Sequence, residues 1–83
     1  MAMSLIIYTK TGCPWCIAVT DYLEEEGITF EERNVIENPE YFTEMEQKSG
    51  QTKAPTIEFN GVVYGDSDVD ELKRLLADAG NAE

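Results

Sequence analysis

Histidine is missing from this sequence altogether, and cysteine occurs only twice, at Cys13 and Cys16. Structural zinc usually draws four ligands from Cys, His and carboxylates, so an intrachain zinc site is short of donors and no metal is expected. Two cysteines three residues apart are also unlike a disulfide-stapled secreted domain, whose bridges are several and spread along the chain. A bridge closing so short a loop constrains the unfolded chain little. The placement suits a bond that is made and broken. Basic residues are scarce: six Lys and Arg stand against 17 Asp and Glu, a formal net charge of −11. Nucleic-acid binding rests on neutralising phosphates with Lys and Arg, and an anionic membrane repels such a chain for the same reason. Neither is expected as a partner. A small anionic substrate needs a local positive patch; the remaining acidity reads as a solvated, self-repelling surface. No apolar run approaches the ~20 residues that span a bilayer. Met1 to Ser4 carry no Lys or Arg, and the apolar stretch Leu5 to Tyr8 is far shorter than a signal-peptide core. A cytoplasmic location is the expectation.

What is present fits one α/β domain over residues 1–83. Leu5-Ile6-Ile7-Tyr8 is a short, continuously apolar run, read as a buried central strand. After the loop Thr9 to Gly12, Pro14 suits the first turn of a helix. That helix is expected to run to about Glu26, with Cys16, Val19, Tyr22 and Leu23 inward and Gly27 as its stop. Ile28 to Val35 alternates loosely and is expected to be a second strand. Asn38-Pro39 caps and opens a helix to about Ser49, ended by Gly50. Asn60-Gly61 between Thr56–Phe59 and Val62–Tyr64 is a hairpin signal, because both turn residues tolerate positive φ. The last helix is expected from about Ser67, in a capping box with Asp70. Val69, Leu72, Leu75, Leu76 and Ala79 form its buried stripe, Gly80 ends it, and Asn81 to Glu83 is a frayed tail. The order is β-α-β-α-β-β-α: a four-stranded mixed sheet with helices on both faces.

Cys13-Pro14-Trp15-Cys16 sits where a strand ends and a helix begins. The thiolate is the reactive form of cysteine, and an ordinary thiol, near pKa ~8.5, is mostly protonated at neutral pH. Backbone N–H groups at a helix N-terminus favour negative charge, which is where Cys13 falls, and Lys10 adds a nearby cation. Cys16 is one turn further on the same face. Cys13 is therefore expected to attack a substrate disulfide, and Cys16 to displace the reduced product.

These residues resemble a glutaredoxin. The resemblance runs from about Leu5 to Ala79. It rests on Tyr8-Thr9-Lys10 before Cys13-Pro14-Trp15-Cys16, on Ala54-Pro55-Thr56 before the hairpin, and on Gly65-Asp66-Ser67-Asp68 before the last helix. It implies a thioredoxin fold, and reduction of protein disulfides and glutathionylated proteins with glutathione as co-substrate and no bound cofactor. It further implies a cis Pro55 facing the cysteines and an Ala54 backbone that pairs with the ligand like an added strand. Gly65, Asp66, Ser67 and Asp68 are implied at the γ-glutamyl end, Lys10 at the glycine carboxylate, and Trp15 against the ligand.

The chain also departs from the family pattern. Lys53-Ala54-Pro55 stands where Thr-Val-Pro is usual, and Thr52 where Arg often serves a glutathione carboxylate; Lys53 is expected to take that role. An alternative is a redoxin reduced by thioredoxin reductase, serving a client such as ribonucleotide reductase. A further one is a dimer sharing an iron–sulfur cluster, against which Pro14 argues, since cluster-binding members commonly have Gly there. A monomer acting on disulfide-containing client proteins is the leading expectation.

Overall fold

The computed structural model describes residues 4–81, with side chains through residue 78. Its sheet is built around β1 (Leu5–Thr9), whose five residues are almost wholly buried. β2 (Glu31–Asn34) lies parallel to β1 in the register Ile6↔Glu31 to Thr9↔Asn34. On the other side, β3 (Thr56–Phe59) runs antiparallel to β1, and β4 (Val62–Tyr64) antiparallel to β3. The order across the sheet is β2-β1-β3-β4.

Side chains alternate across a strand, and in β1 this divides the core into two layers. Leu5 and Ile7 pack with Val19 and Leu23 of α1 (Pro14–Glu25) and with Leu72 and Leu75 of α3 (Val69–Asn81). Ile6 and Tyr8 face the opposite way, against Tyr41, Phe42 and Met45 of α2 (Pro39–Ser49). Helices therefore cover both faces, as the apolar spacing predicts. None among the described residues is long and apolar enough to cross a membrane.

The punctuation residues act as expected at most boundaries. Pro39 follows the Asn38 cap, whose side chain accepts the Glu40 N–H, and Gly50 closes α2 in the left-handed conformation at φ 72°. Asn60 and Gly61 carry the hairpin at φ 51° and 86°.

Three boundaries differ from the sequence expectation. The second strand begins only at Glu31: Ile28 and Phe30 are core contacts of the preceding loop, and their alternation mimics a strand. The cap of α3 is Asp68, whose carboxylate accepts the Glu71 N–H at 2.8 Å, because the Ser67 hydroxyl is turned inward to the Tyr64 carbonyl at 2.9 Å. Gly80 does not end the last helix, which continues to Asn81. The side chain of Ala79 and residues 82–83 lie outside the described residues.

Candidate active site

At the C-terminal end of β1 the chain makes one turn, closed by the Cys13 N–H on the Lys10 carbonyl at 3.2 Å. Gly12 supplies the positive φ of 79° that this turn requires. Cys13 then caps α1 in extended conformation, and its sulfur accepts the backbone N–H of Cys16 at 3.3 Å. The first N–H groups of a helix have no partner within it, so the sulfur takes the place usually held by a Ser or Asp oxygen. That donor stands at the N-terminal, positive end of the helix dipole and faces the Cys13 sulfur.

The second sulfur is in a different environment. Cys16 is only 2% exposed. Burial, reinforced by the neighbouring Cys13 sulfur, pushes its thiol up to about 12, while the Lys10 backbone acts in the opposite direction. Both cysteines are free thiols. The pair thus divides into a reachable sulfur with an N–H donor and a sealed sulfur that keeps its proton.

Cys13 opens into a cleft of about 700 Å³. One rim is the active-site turn, with Lys10, Cys13 and Trp15, the last 64% exposed. The facing wall is Lys53, Ala54 and Pro55; the Ala54–Pro55 bond is cis, and the Cys13 thiol approaches the Ala54 carbonyl at 3.9 Å. Asp66, Ser67 and Asp68 form the third side. The structure therefore gathers nine of the eleven sequence-predicted residues around one opening, with Cys16 sealed behind them.

Gly65 is the exception and does not line the cleft. It abuts Gln51, and a Cβ added there would lie 2.8 Å from Gln51 Nε2. Ser67 lines the opening with its own polar groups already engaged: its N–H donates to the Pro55 carbonyl at 2.8 Å, and its hydroxyl to Tyr64 and Glu71.

Gln51 is the residue that sequence reasoning missed. Its side-chain oxygen accepts the Lys53 N–H at 2.6 Å, and its Nε2 reaches the Ser49 hydroxyl, the Lys53 carbonyl and the Thr56 hydroxyl. It thereby fixes the loop that carries Lys53 and Ala54. A lone glutamine after a helix-ending glycine carries no periodic signal that could have announced this.

The six cations are distributed unevenly. Arg33 pairs with Glu31 and Glu44, Lys48 with Glu58, and Arg74 with Glu71. Lys73 lies over the Tyr22 ring, and Lys10 reaches the Phe42 ring at 5.8 Å. Among the described residues, Lys10 and Lys53 form no ion pair with a carboxylate, and both stand at the cleft. No cluster of three or more Cys, Asp or Glu able to hold a metal occurs among the described residues.

Residues 5–64 match the glutaredoxin family model. A glutaredoxin of Pseudomonas aeruginosa is 36% identical over 53 residues, 64% of this chain, which spans only 63% of that relative's length. A glutaredoxin-like 8.6 kDa protein of the rubredoxin operon of Clostridium pasteurianum is 32% identical, over 80% of this chain and 92% of its own. Among solved structures, the glutaredoxin-like NrdH-redoxin of Escherichia coli superposes with a TM-score of 0.69 at 28% identity, over 87% of this chain and 93% of that one.

Proposed function

Because this chain belongs to the glutaredoxin family, and so is a thiol–disulfide oxidoreductase, we propose that it reduces protein disulfides and glutathione mixed disulfides at the expense of glutathione. Cys13 attacks one sulfur of the substrate disulfide; the Cys13–substrate bond forms as the substrate S–S bond breaks, and the departing thiolate takes a proton from water. Cys16 then gives up its proton and attacks Cys13, forming the internal disulfide and releasing the second substrate sulfur. Two glutathione molecules return the two electrons: the first is captured on Cys13 and frees Cys16, and the second leaves as glutathione disulfide. Cys13 is the sulfur suited to capture, being reachable and held by an N–H donor.

The observation that carries glutathione is the pair of lysines at the cleft, Lys10 and Lys53, neither of which forms an ion pair among the described residues. In a chain of net charge −11, three lysines have no carboxylate partner among the described residues; Lys73 lies over the Tyr22 ring, and the other two, Lys10 and Lys53, both border Cys13, opposite Asp66 and Asp68. Cations on two rims and carboxylates on the third complement a small molecule with two carboxylates and one ammonium group. Turnover of a small disulfide, followed through NADPH with glutathione and glutathione reductase, tests this. Sustained turnover is expected; none with glutathione would overturn it.

A second reading has a specific observation behind it. The solved NrdH-redoxin, described as having a thioredoxin-like activity profile, matches this chain over 93% of its length. Ala54 and Thr52 also leave the glutathione-facing loop without the usual Val and Arg. Under this reading thioredoxin reductase supplies the electrons and the client is an enzyme such as ribonucleotide reductase. Turnover with thioredoxin reductase and NADPH, but not with glutathione, is its signature.

A further inference from the structure

Gln51 does not line the cleft, yet it is tied to two of the cleft's walls. Its side-chain orientation is fixed by its neighbours. The Lys53 N–H can only donate, and it meets Gln51 Oε1 at 2.6 Å. The Ser49 and Thr56 hydroxyls direct their protons to the Met45 and Lys53 carbonyls, at 2.6 and 2.8 Å. Both therefore accept from Gln51 Nε2, each at 3.0 Å. A primary amide offers one acceptor oxygen and two donor hydrogens, and all are engaged. The same amide abuts Gly65, where an added Cβ would fall 2.8 Å from Nε2 and 3.0 Å from Cγ. A glycine is what permits this approach.

The residues after Gly65 are Asp66, Ser67 and Asp68, the third side of the cleft; Lys53, Ala54 and Pro55 form the wall that faces Cys13. Two contacts join these walls. The Ser67 N–H donates to the Pro55 carbonyl at 2.8 Å, and Gln51, held to Lys53, rests on Gly65. One hydrogen bond fixes a point between two segments and leaves their angle free, whereas a second contact fixes the angle. We propose that Gln51 is a positioning residue that sets which disulfides Cys13 captures: its amide holds the Ala54 wall and the Asp66–Asp68 wall at one separation, to the advantage of substrates long enough to touch both. The Ala54 carbonyl is 3.9 Å from the Cys13 thiol, so a shift of that wall moves a substrate lying along it away from the attacking sulfur. A disulfide too short to reach the walls is indifferent to them. Gln51 itself touches no substrate.

The inference rests on capture by Cys13, as proposed above, and deepens it. The test is stopped-flow oxidation of the reduced protein by an excess of disulfide, read by the fluorescence of Trp15, the one tryptophan, at the rim beside Cys13. Each reaction consumes the dithiol, leaves the Cys13–Cys16 disulfide and releases two thiols. The probes are glutathione disulfide, a disulfide-linked peptide dimer, and hydroxyethyl disulfide, which is short and uncharged. Gln51→Met keeps the length of the side chain and cannot make these hydrogen bonds. It should slow the first two reactions roughly fivefold, about the worth of one hydrogen bond, and leave the third at the parent rate. Gly65→Ala disturbs the same contact from the other side and should give the same pattern, with the double variant no slower than the worse single one. All four proteins are compared at a temperature where circular dichroism shows each to be folded. Slowing of all three disulfides alike, or of none, would overturn the role of Gln51. If the parent reacts no faster with glutathione disulfide than with hydroxyethyl disulfide, the glutathione reading falls, and the peptide dimer alone decides for or against Gln51.

Discussion

The backbone N–H of Cys16 donates to the sulfur of Cys13 at 3.3 Å, while the Cys16 sulfur itself is sealed from solvent. One residue thus supplies a donor to its partner's sulfur while its own sulfur is buried. The order of attacks proposed above rests on this asymmetry.

Replacing either cysteine should separate the two roles. Cys13→Ser should abolish all exchange. Cys16→Ser should lose reduction of protein disulfides but keep measurable deglutathionylation, since glutathione can clear the mixed disulfide on Cys13. Rates on a disulfide peptide and on a glutathionylated peptide, side by side, check this. Equal inactivity of both variants would mean that the roles are reversed or that glutathione is not the reductant.

The two cleft lysines, Lys10 and Lys53, should matter for the reductant and not for the chemistry. Exposed charge contacts contribute up to ~1 kcal/mol each, so Lys10→Glu and Lys53→Glu should each raise the KM for glutathione about fivefold. Turnover with dithiothreitol, an uncharged reductant, should remain near the parent value. Steady-state kinetics with the two reductants provide the comparison.

Gly65 and Gln51 should behave as a coupled pair. A methyl at residue 65 would meet Gln51 Cγ at 3.0 Å and Nε2 at 2.8 Å, displacing the side chain that holds Lys53 and Thr56. Gly65→Ala and Gln51→Ala should each cost about 1–2 kcal/mol in hydrogen bonds left unmade. The double variant should cost little more than the worse single one. Urea unfolding of the four proteins gives the cycle.

Acid should attack the opposite face of the sheet. The Tyr8 hydroxyl donates to Glu44 at 2.5 Å, and Arg33 pairs with the same carboxylate. The Tyr8 hydrogen bond, followed by Arg33, holds the Glu44 carboxyl below its ordinary value of 4.5. A depressed carboxyl stabilises the fold fully above its unfolded value, and that contribution is lost as pH falls through the folded one. Glu44→Gln should therefore be less stable than the parent at pH 7, and the difference should narrow as pH drops below about 4.5. Urea midpoints across that range measure it.

Much of this was legible in the chain. The hairpin at Asn60-Gly61, the α2 boundaries at Asn38-Pro39 and Gly50, and the dithiol at the mouth of α1 are local signals, each set by backbone conformation or by a cap. What escaped depends on contacts distant in sequence. Ile28 and Phe30 alternate like strand residues, yet they pack against the core from a loop. Ser67 and Asp68 are both good caps, and only the position of the Tyr64 carbonyl decides which hydroxyl or carboxylate is free. Gly65 reads as a ligand-facing glycine, whereas the space it leaves is filled by Gln51. Nothing near Glu32 in sequence shows that Thr9, 23 residues away, will hold it.

β1 serves two cores and a reaction centre with only five residues. A single-residue insertion within it would send Tyr8 into the hydrocarbon between α1 and α3, away from Glu44, and bring Ile7 against α2. The dithiol follows this strand by only four residues, so the same slip would drag Cys13 off the Ala54 wall. Length is thus the guarded property of this segment: exchanges among aliphatic residues of similar volume are tolerable there, and insertions or deletions are not.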